Sequence, residues 1–463
     1  LVTYYYEHNS YVTTILLATV LGAGAFLGLY FCAVCLCKKL IMAKIKPGVY
    51  PLKSFYYLRQ WTIVKMLDID EVYVMADTLY FPLFLRCLGA NIGKQVEMGE
   101  APHIIPDLVT IQDGGFTASS VALAWPNVHK GEIAFASSTI GKRGFVGNMS
   151  LLPLGGQIGD GGLLGCMSIT PPNNRAASAN TAWLGSPAVF LPKRELFVGF
   201  SDKETFSPSR KLYFTRLAIE FLRIILPTTF SLIMLFNMLY VLDFLLGNYS
   251  LLATFLILPV MELAITAGLI SIIIGLKWLI LGRLKPATKP IWNIFIWKND
   301  VIEYSYSYFV NPHFTNMLLG TPFVSLLFRG FGAKIGKRVF IDSADFTEFD
   351  LITIKDDVCI NSEAIIQTHL YEDRIFKMSS IEINEGCNIG IASIVLYSTV
   401  MERDSTLGNF SLLMKGERLP ANTSWRGIPA QSVSLDYYEE PEQIIDDSDS
   451  DMRTDDSTLP EMG

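Results

Sequence analysis

The chain has 463 residues, enough for two or three domains with cores of their own. Hydrophobic residues make up 51% and charged residues only 17%, with a formal net charge of −7. That balance argues against a purely soluble protein, and it offers no basic face for nucleic acid. The negative charge is concentrated at the end, where Asp436–Gly463 holds eleven acidic residues against one Arg.

Taken in order, the chain opens on an uncharged apolar run from Tyr11 to Cys37, followed by Lys38, Lys39, Lys44 and Lys46. A second run covers Ile225–Leu246 and a third Leu251–Ile280, the third broken only by Glu262 and Lys277. Each is long enough to cross a bilayer, which takes about 20 apolar residues. Gly247–Ser250 between the last two leaves room only for a hairpin turn. Basic residues border all three on the side of the large polar segments: Arg210, Lys211, Arg216 and Arg223 before the second, Arg283, Lys285 and Lys289 after the third. By the positive-inside rule those segments are expected to be cytoplasmic, with the hairpin turn outside. Glu262 is costly in lipid and is expected to face protein or a polar cavity. Seven cysteines are scattered without disulfide-like spacing. Cys32, Cys35 and Cys37 end the first run, and Cys87, Cys166, Cys359 and Cys387 are expected in cores.

The polar segments repeat each other. Gly89-Ala90-Asn91-Ile92-Gly93-Lys94 matches Gly332-Ala333-Lys334-Ile335-Gly336-Lys337, and Asp107–Ile111 matches Asp350–Ile354. Trp183-Leu184-Gly185-Ser186-Pro187-Ala188 matches Trp425-Arg426-Gly427-Ile428-Pro429-Ala430. The apolar span, basic patch and Lys-Pro pair before each segment repeat as well, so the duplicated unit is a membrane helix plus a repeat domain.

Inside each unit runs a shorter period. Ile140, Val146, Leu152, Ile158 and Leu164 are six apart, with Ala134 and Val128 continuing the series backward. Ile383, Ile389, Val395, Met401, Leu407 and Leu413 do the same in the second unit, with Ile354, Ile360 and Ile366 upstream. Six residues walk around an α-helix instead of holding one face. One inward aliphatic per six-residue side, with Gly141, Gly147, Gly159 and Gly165 following it, fits a triangular solenoid with tight corners. The expected fold is an α + β membrane protein: transmembrane helices plus two tandem left-handed parallel β-helix (hexapeptide-repeat) domains. Residues 1–46 form a transmembrane helix and basic flank, 47–80 a linker or amphipathic segment, and 81–200 the first β-helix. Residues 201–290 form a membrane-entry segment and transmembrane hairpin, 291–321 a second linker, 322–435 the second β-helix, and 436–463 a disordered acidic tail. Gln367–Met378 interrupts the second series and reads as a loop thrown out from a corner, a common place for function. In the first unit only Trp125–Lys130 stands there.

Membrane helices alternating with hexapeptide domains, each closing on Trp-x-Gly-x-Pro-Ala, together with the Gln367–Asp373 stretch, resemble a known family. It is the membrane-embedded C-terminal region of Pls/PosA-type non-ribosomal peptide synthetases, the ε-poly-lysine synthetase family. The Gly147-Asn148 and Leu152-Pro153 pairs are similar too, and the resemblance covers nearly the whole chain short of the acidic tail. It implies membrane-bound acyl or aminoacyl transfer that forms amide bonds. The thioester donor would be carried on phosphopantetheine by a separate or upstream aminoacyl carrier domain, with no cofactor bound to this chain itself. An amino acid or its oligomer would be the acceptor, and the lipid bilayer a further partner.

The residues offer matching chemistry. A loop His can act as general base on an amine because its pKa lies near working pH. His369 is the first candidate, with Glu372 or Asp373 to orient the ring or hold a substrate ammonium, and His129 is the second. Either could equally be a solvated or hydrogen-bonded surface His. A metal enzyme needs more ligands than His103, His129 and His369 supply at these spacings, so no metal is expected. A non-catalytic membrane scaffold is the alternative.

Overall fold

The computed structural model describes residues 11–42, 44–68, 74–171, 176–192, 199–372 and 374–433. The acidic tail and the Tyr4–Ser10 stretch lie outside them. Three helices are long and apolar enough to cross a membrane. α1 (Tyr11–Ile41) leads into the first unit, whose remaining helices are α2 (Phe55–Leu67) and α3 (Tyr80–Cys87). α4 (Arg210–Asn248) and α5 (Leu251–Ile280) form the hairpin, and α6 (Ile294–Ser305) and α7 (Pro322–Phe331) belong to the second unit. Ser54, Ser209, Ser250 and Asn293 each cap a helix start by accepting a backbone N–H, which satisfies donors the helix itself cannot. α4 begins well before the apolar run at Ile225. Its first turns carry Arg216, Glu220 and Arg223, all buried against the β-domains instead of standing in water. Glu262 has no hydrogen-bond partner for either carboxylate oxygen among the described residues.

In each unit short strands stack into three sheets of five, six and three strands, parallel throughout except for the last strand of the six. They are the three sides of a parallel β-helix. A plain coil takes 18 residues, so that Ile140 stacks on Ile158 and Ile383 on Met401. All of Ile140, Val146, Leu152, Ile158 and Leu164 are buried, as are the nine expected column residues of the second unit. Leu407→Asp would put an unpaired carboxylate into this dry column at a cost on the order of several kcal/mol. Loss of the cooperative unfolding transition by circular dichroism in detergent is the expected result; an unchanged transition would contradict the stacking.

The interruption of the coils differs from the sequence expectation. Ile111 stacks on Ile140 and Ile354 on Ile383, an advance of 29 residues in both units, so both carry the same insertion. Each is a hairpin rather than a loop. In unit one Asn127–His129 pairs with Glu132–Phe135, which pairs with Gly48–Pro51. In unit two His369–Glu372 pairs with Ile375–Met378, which pairs with Ala287–Pro290. Val128 and Ala134 therefore belong to a hairpin and not to the aliphatic column. Of the four cysteines expected in cores, Cys387 is buried and Cys166 half-buried, whereas Cys87 and Cys359 are exposed.

The duplicated unit is pinned to its helix by a duplicated ion pair. Lys38 of α1 meets Asp107 at 2.8 Å, and Lys277 of α5 meets Asp350 at 2.6 Å, all four side chains nearly inaccessible. A Cβ at Gly89 or Gly332 would collide with the same aspartates, and both glycines have positive φ. That close approach explains why the Gly-Ala motif occurs in both copies.

Candidate active site

The two solenoids pack side by side and enclose a cleft of about 400 Å³. The hairpin strand His369–Glu372 forms one wall. From the first unit come Asp77, Ser119, Ser120 and Asn148, and from α6 come Asp300, Glu303 and Tyr304. Asn148 donates to the Gln367 side-chain oxygen at 3.2 Å and ties the two walls together.

His369 is the centre of this site. It opens the hairpin strand and is buried, its ring packed on Phe376 with centroids 4.7 Å apart. Its Nδ1 lies 2.8 Å from Oε2 of Glu348. Glu348 stands just before a 3₁₀ turn (Phe349–Leu351) with φ of 24°. It also accepts from Thr368 Oγ1 at 2.6 Å and Asn299 Nδ2 at 2.7 Å. The carboxylate is therefore fixed by three donors, and it fixes the imidazole in turn. With Nδ1 taken, Nε2 is the ring atom left for chemistry. The residue lines the cleft.

Acids dominate the charge around it. Burial works against the imidazolium, but Glu348, Glu303 and Asp300 outweigh it and hold the His369 pKa up at about 9. Glu348 is also desolvated, yet His369, Thr368 and Asn299 pull its carboxyl below the ordinary value. Both shifts favour the ionised pair at neutral pH. Burial pushes Glu303 up to about 8, with Glu348 and Asp300 adding to it against the pull of His369. Asp300 is pushed to about 7 by burial, partly offset by Arg223. Burial likewise raises Asp77, whose carboxylate accepts from the Tyr304 hydroxyl. Buried acids crowded this closely hold protons more tightly than carboxyls in water do.

Glu303, Glu348 and His369 offer atoms within 4.8 Å of one another, the one such metal-capable group among the described residues. Both Glu348 oxygens are already occupied by donors. The arrangement is therefore a hydrogen-bonded dyad facing an acid, and not a set of three free ligands.

The structure distributes the other sequence candidates differently. Glu372 does not orient His369, a role that falls to Glu348. It is held by Lys377 at 2.9 Å and by Lys415 at 2.6 Å, so it is no free anion for a substrate ammonium. Asp373 lies outside the described residues. His129 is exposed beside the tip of the first hairpin and pairs across it with Glu132. It is not in the cleft with His369.

Sequence reasoning passed over Glu348, Glu303, Asp300 and Asp77. The duplication held a signal for three of them. Matching the hairpins and the Asp-Leu motifs sets His369 against Pro126 and Glu348 against Ile105. Matching α6 with α2 sets Glu303 against Val64 and Asp300 against Trp61. The ionisable site exists in one copy, and the apolar residues of the other copy leave nothing to titrate.

A second cavity of about 260 Å³ lies on the other side of the same strand, sharing Asn148, Leu370 and Tyr371 with the cleft. Its lining is mostly apolar, with Leu163, Leu184, Leu396 and Met414, and the Glu372–Lys415 pair at one side.

No protein-family model matches the chain. Among curated proteins it is 34% identical over 397 residues to the delta-poly-L-ornithine synthetase of Acinetobacter baumannii. The match takes in 85% of this chain but only 30% of that synthetase. Solved structures similar to part of the chain include a hexapeptide-repeat acetyltransferase from Vibrio cholerae, at 17% identity and a TM-score of 0.23 over 26% of this chain and 83% of that one. A maltose O-acetyltransferase from Clostridium difficile gives 18% and 0.24 over 34% and 97%. A point mutant of the N-acyltransferase AntD from Bacillus cereus, in complex with dTDP and coenzyme A, gives 14% and 0.21 over 27% and 82%. Over most of its own length, the chain is thus homologous to a segment of a poly-amino-acid synthetase.

Proposed function

We propose that the chain is a membrane-bound enzyme that forms amide bonds by acyl or aminoacyl transfer to a cationic amine, in the cleft between its two β-helices. The observation that carries this reading is the His369–Glu348 dyad set into an acid-lined pocket. The homologous synthetase supports it, as does the Pls/PosA resemblance of the sequence. Both β-helices, which we take to be left-handed from their six-residue sides, face the cytoplasm on the strength of the basic clusters. The bilayer holds the three apolar helices.

Asp300, Glu303 and Asp77, in their ionised forms, attract an amino acid or oligomer acceptor that carries more than one ammonium group, such as ornithine or lysine. In the empty site the surrounding acids hold the His369 pKa up at about 9, which favours the imidazolium over the free base near neutral pH. A second positive charge bound beside Glu303 lowers the proton affinity of the imidazole, so the acceptor helps to generate the neutral ring that it needs. Nε2 then takes a proton as the amine nitrogen attacks the thioester carbonyl. The C–N bond forms, the C–S bond breaks, and the proton passes from Nε2 to the leaving thiolate. Glu348 keeps Nδ1–H in place and stabilises the imidazolium. The thioester arrives on the phosphopantetheine arm of a carrier domain on a separate or upstream segment. The apolar cavity across Leu370 and Tyr371 suits such an arm.

The pH profile tests the dyad. Deprotonation of free His369, Glu303 and Asp300 all favours binding or reaction, so kcat/KM for a diamino acceptor rises from about pH 7 to about 9. In kcat, which reports the occupied site, the apparent pKa lies lower. A flat or falling kcat/KM over that range would count against His369 as the base.

A further inference from the structure

We propose that the outer faces of the two β-helices bind each other between copies of the chain, so that the chain assembles head to tail. The interface inside the chain joins different faces of equivalent units. Unit two contributes Leu370, Ile394, Leu396 and Leu412, and unit one Leu184 with Cys166 and Met167. An interface of this heterologous kind leaves one face of each sort unused at the two ends.

Both unused faces can be located from the strand register. Ile394 pairs with Leu412 as Leu151 bridges Ile169, which makes Leu151 and Ile169 the first-unit counterparts of two interface residues. They line an open groove of about 570 Å³ with Trp125, Pro126, Pro153 and Pro187. Leu151 is 38% exposed where Ile394 is 1% exposed. At the far end, the counterparts of Phe116, Asn148 and Met167 are Cys359, Ile391 and Phe410, at matching strand and corner positions. All three are exposed, Phe410 by 65%. The hairpins agree at one position: Tyr371 of the second lines the internal interface, whereas its counterpart Val128 in the first stands 53% exposed.

Each end thus shows an apolar surface whose equivalent is wholly or partly covered within the chain, and the partner that fits one is the other. Isolated apolar side chains on a surface need no explanation, but two patches related by the duplication do. The apolar helices of every copy share one bilayer, so the operation between copies is a rotation about its normal, and the assembly is a ring where that rotation closes and an open row of copies where it does not.

Mass measurement of the full chain in detergent or nanodiscs tests this, independently of any activity. Two or more chains per particle are expected, and Phe410→Asp and Leu151→Asp should each reduce the particle to one chain. With exposed Cys32, Cys87 and Cys359 changed to Ser, a Leu151→Cys copy should crosslink to a differently tagged Phe410→Cys copy. A single-chain particle for the unaltered protein overturns the proposal. So does crosslinking between two Leu151→Cys copies but not between 151 and 410, since that describes a two-fold contact. An assembly that survives both Asp variants also overturns it.

Discussion

His369→Ala is expected to lower kcat for amide formation by about 10²–10⁴-fold, the range that a positioned acid–base group contributes. Glu348→Gln should fall in the same range while leaving the ring in place, because it removes the charge that holds the Nδ1 proton and stabilises the imidazolium. Neither change should weaken acceptor binding as strongly as Glu303→Gln, which removes an acid facing the cleft and should act mainly on KM. His129→Ala, at an exposed hairpin position, should be silent. Rates measured with an aminoacyl thioester of pantetheine and free diamino acceptor separate these cases. Full activity in a folded His369→Ala protein would rule out His369 as the base.

The second large effect concerns stability. Arg216→Ala removes a guanidinium that binds both Glu97 oxygens, at 2.9 and 2.8 Å, and Glu220 at 2.6 Å. All three side chains are buried. Breaking a buried pair by deleting one partner costs about 3–5 kcal/mol, because the stranded charge stays out of water. Here two carboxylates lose that partner at once, Glu220 keeping only the Leu79 N–H and Glu97 only Arg374 at 3.5 Å among the described residues. The same Glu97 meets Arg374 at the tip of the second hairpin, so the loss reaches from α4 to the strand that carries His369. Arg338→Ala is the control: its pair with Asp357 is exposed, and such pairs are worth about 0–1 kcal/mol. Denaturant unfolding in detergent should put the Arg216 variant well below the Arg338 variant. Equal midpoints would refute the role given to the buried cluster.

The β-helices and the duplication were legible because their cause is local and repetitive. One aliphatic in six, from Ile383 to Leu413, has no other economical reading. The first hairpin was not legible for a specific reason. Val128 and Ala134 happen to fall at multiples of six before Ile140, so a hairpin strand passed for two more coils. The 29-residue step from Ile111 to Ile140, equal to that from Ile354 to Ile383, carried the correct answer. The site was legible only at His369, which its interrupted coil marked out. Its partner Glu348 comes from the preceding coil, Asp300 and Glu303 from a helix, and Asp77 from the other unit. The proton affinity of the imidazole depends on all of them together: a lone loop His points to a base near neutrality, whereas the surrounding acids hold the His369 pKa up at about 9. Glu372 and Asp373 are near His369 in sequence, but Glu372 lies along a strand that turns it toward Lys377 and Lys415.

The most direct test of the account is transfer by the purified full chain, supplied with ornithyl or lysyl pantetheine thioester and two acceptors in turn. The first acceptor is a diamino acid and the second its uncharged isostere with one amine. Amide product is predicted, with kcat/KM for the diamino acceptor at least about tenfold higher, an advantage of about 1.4 kcal/mol that Glu303→Gln and Asp300→Asn should erase. No product with either acceptor, or equal rates that ignore Glu303 and Asp300, would contradict the assignment of the acid-lined cleft as an amide-forming site.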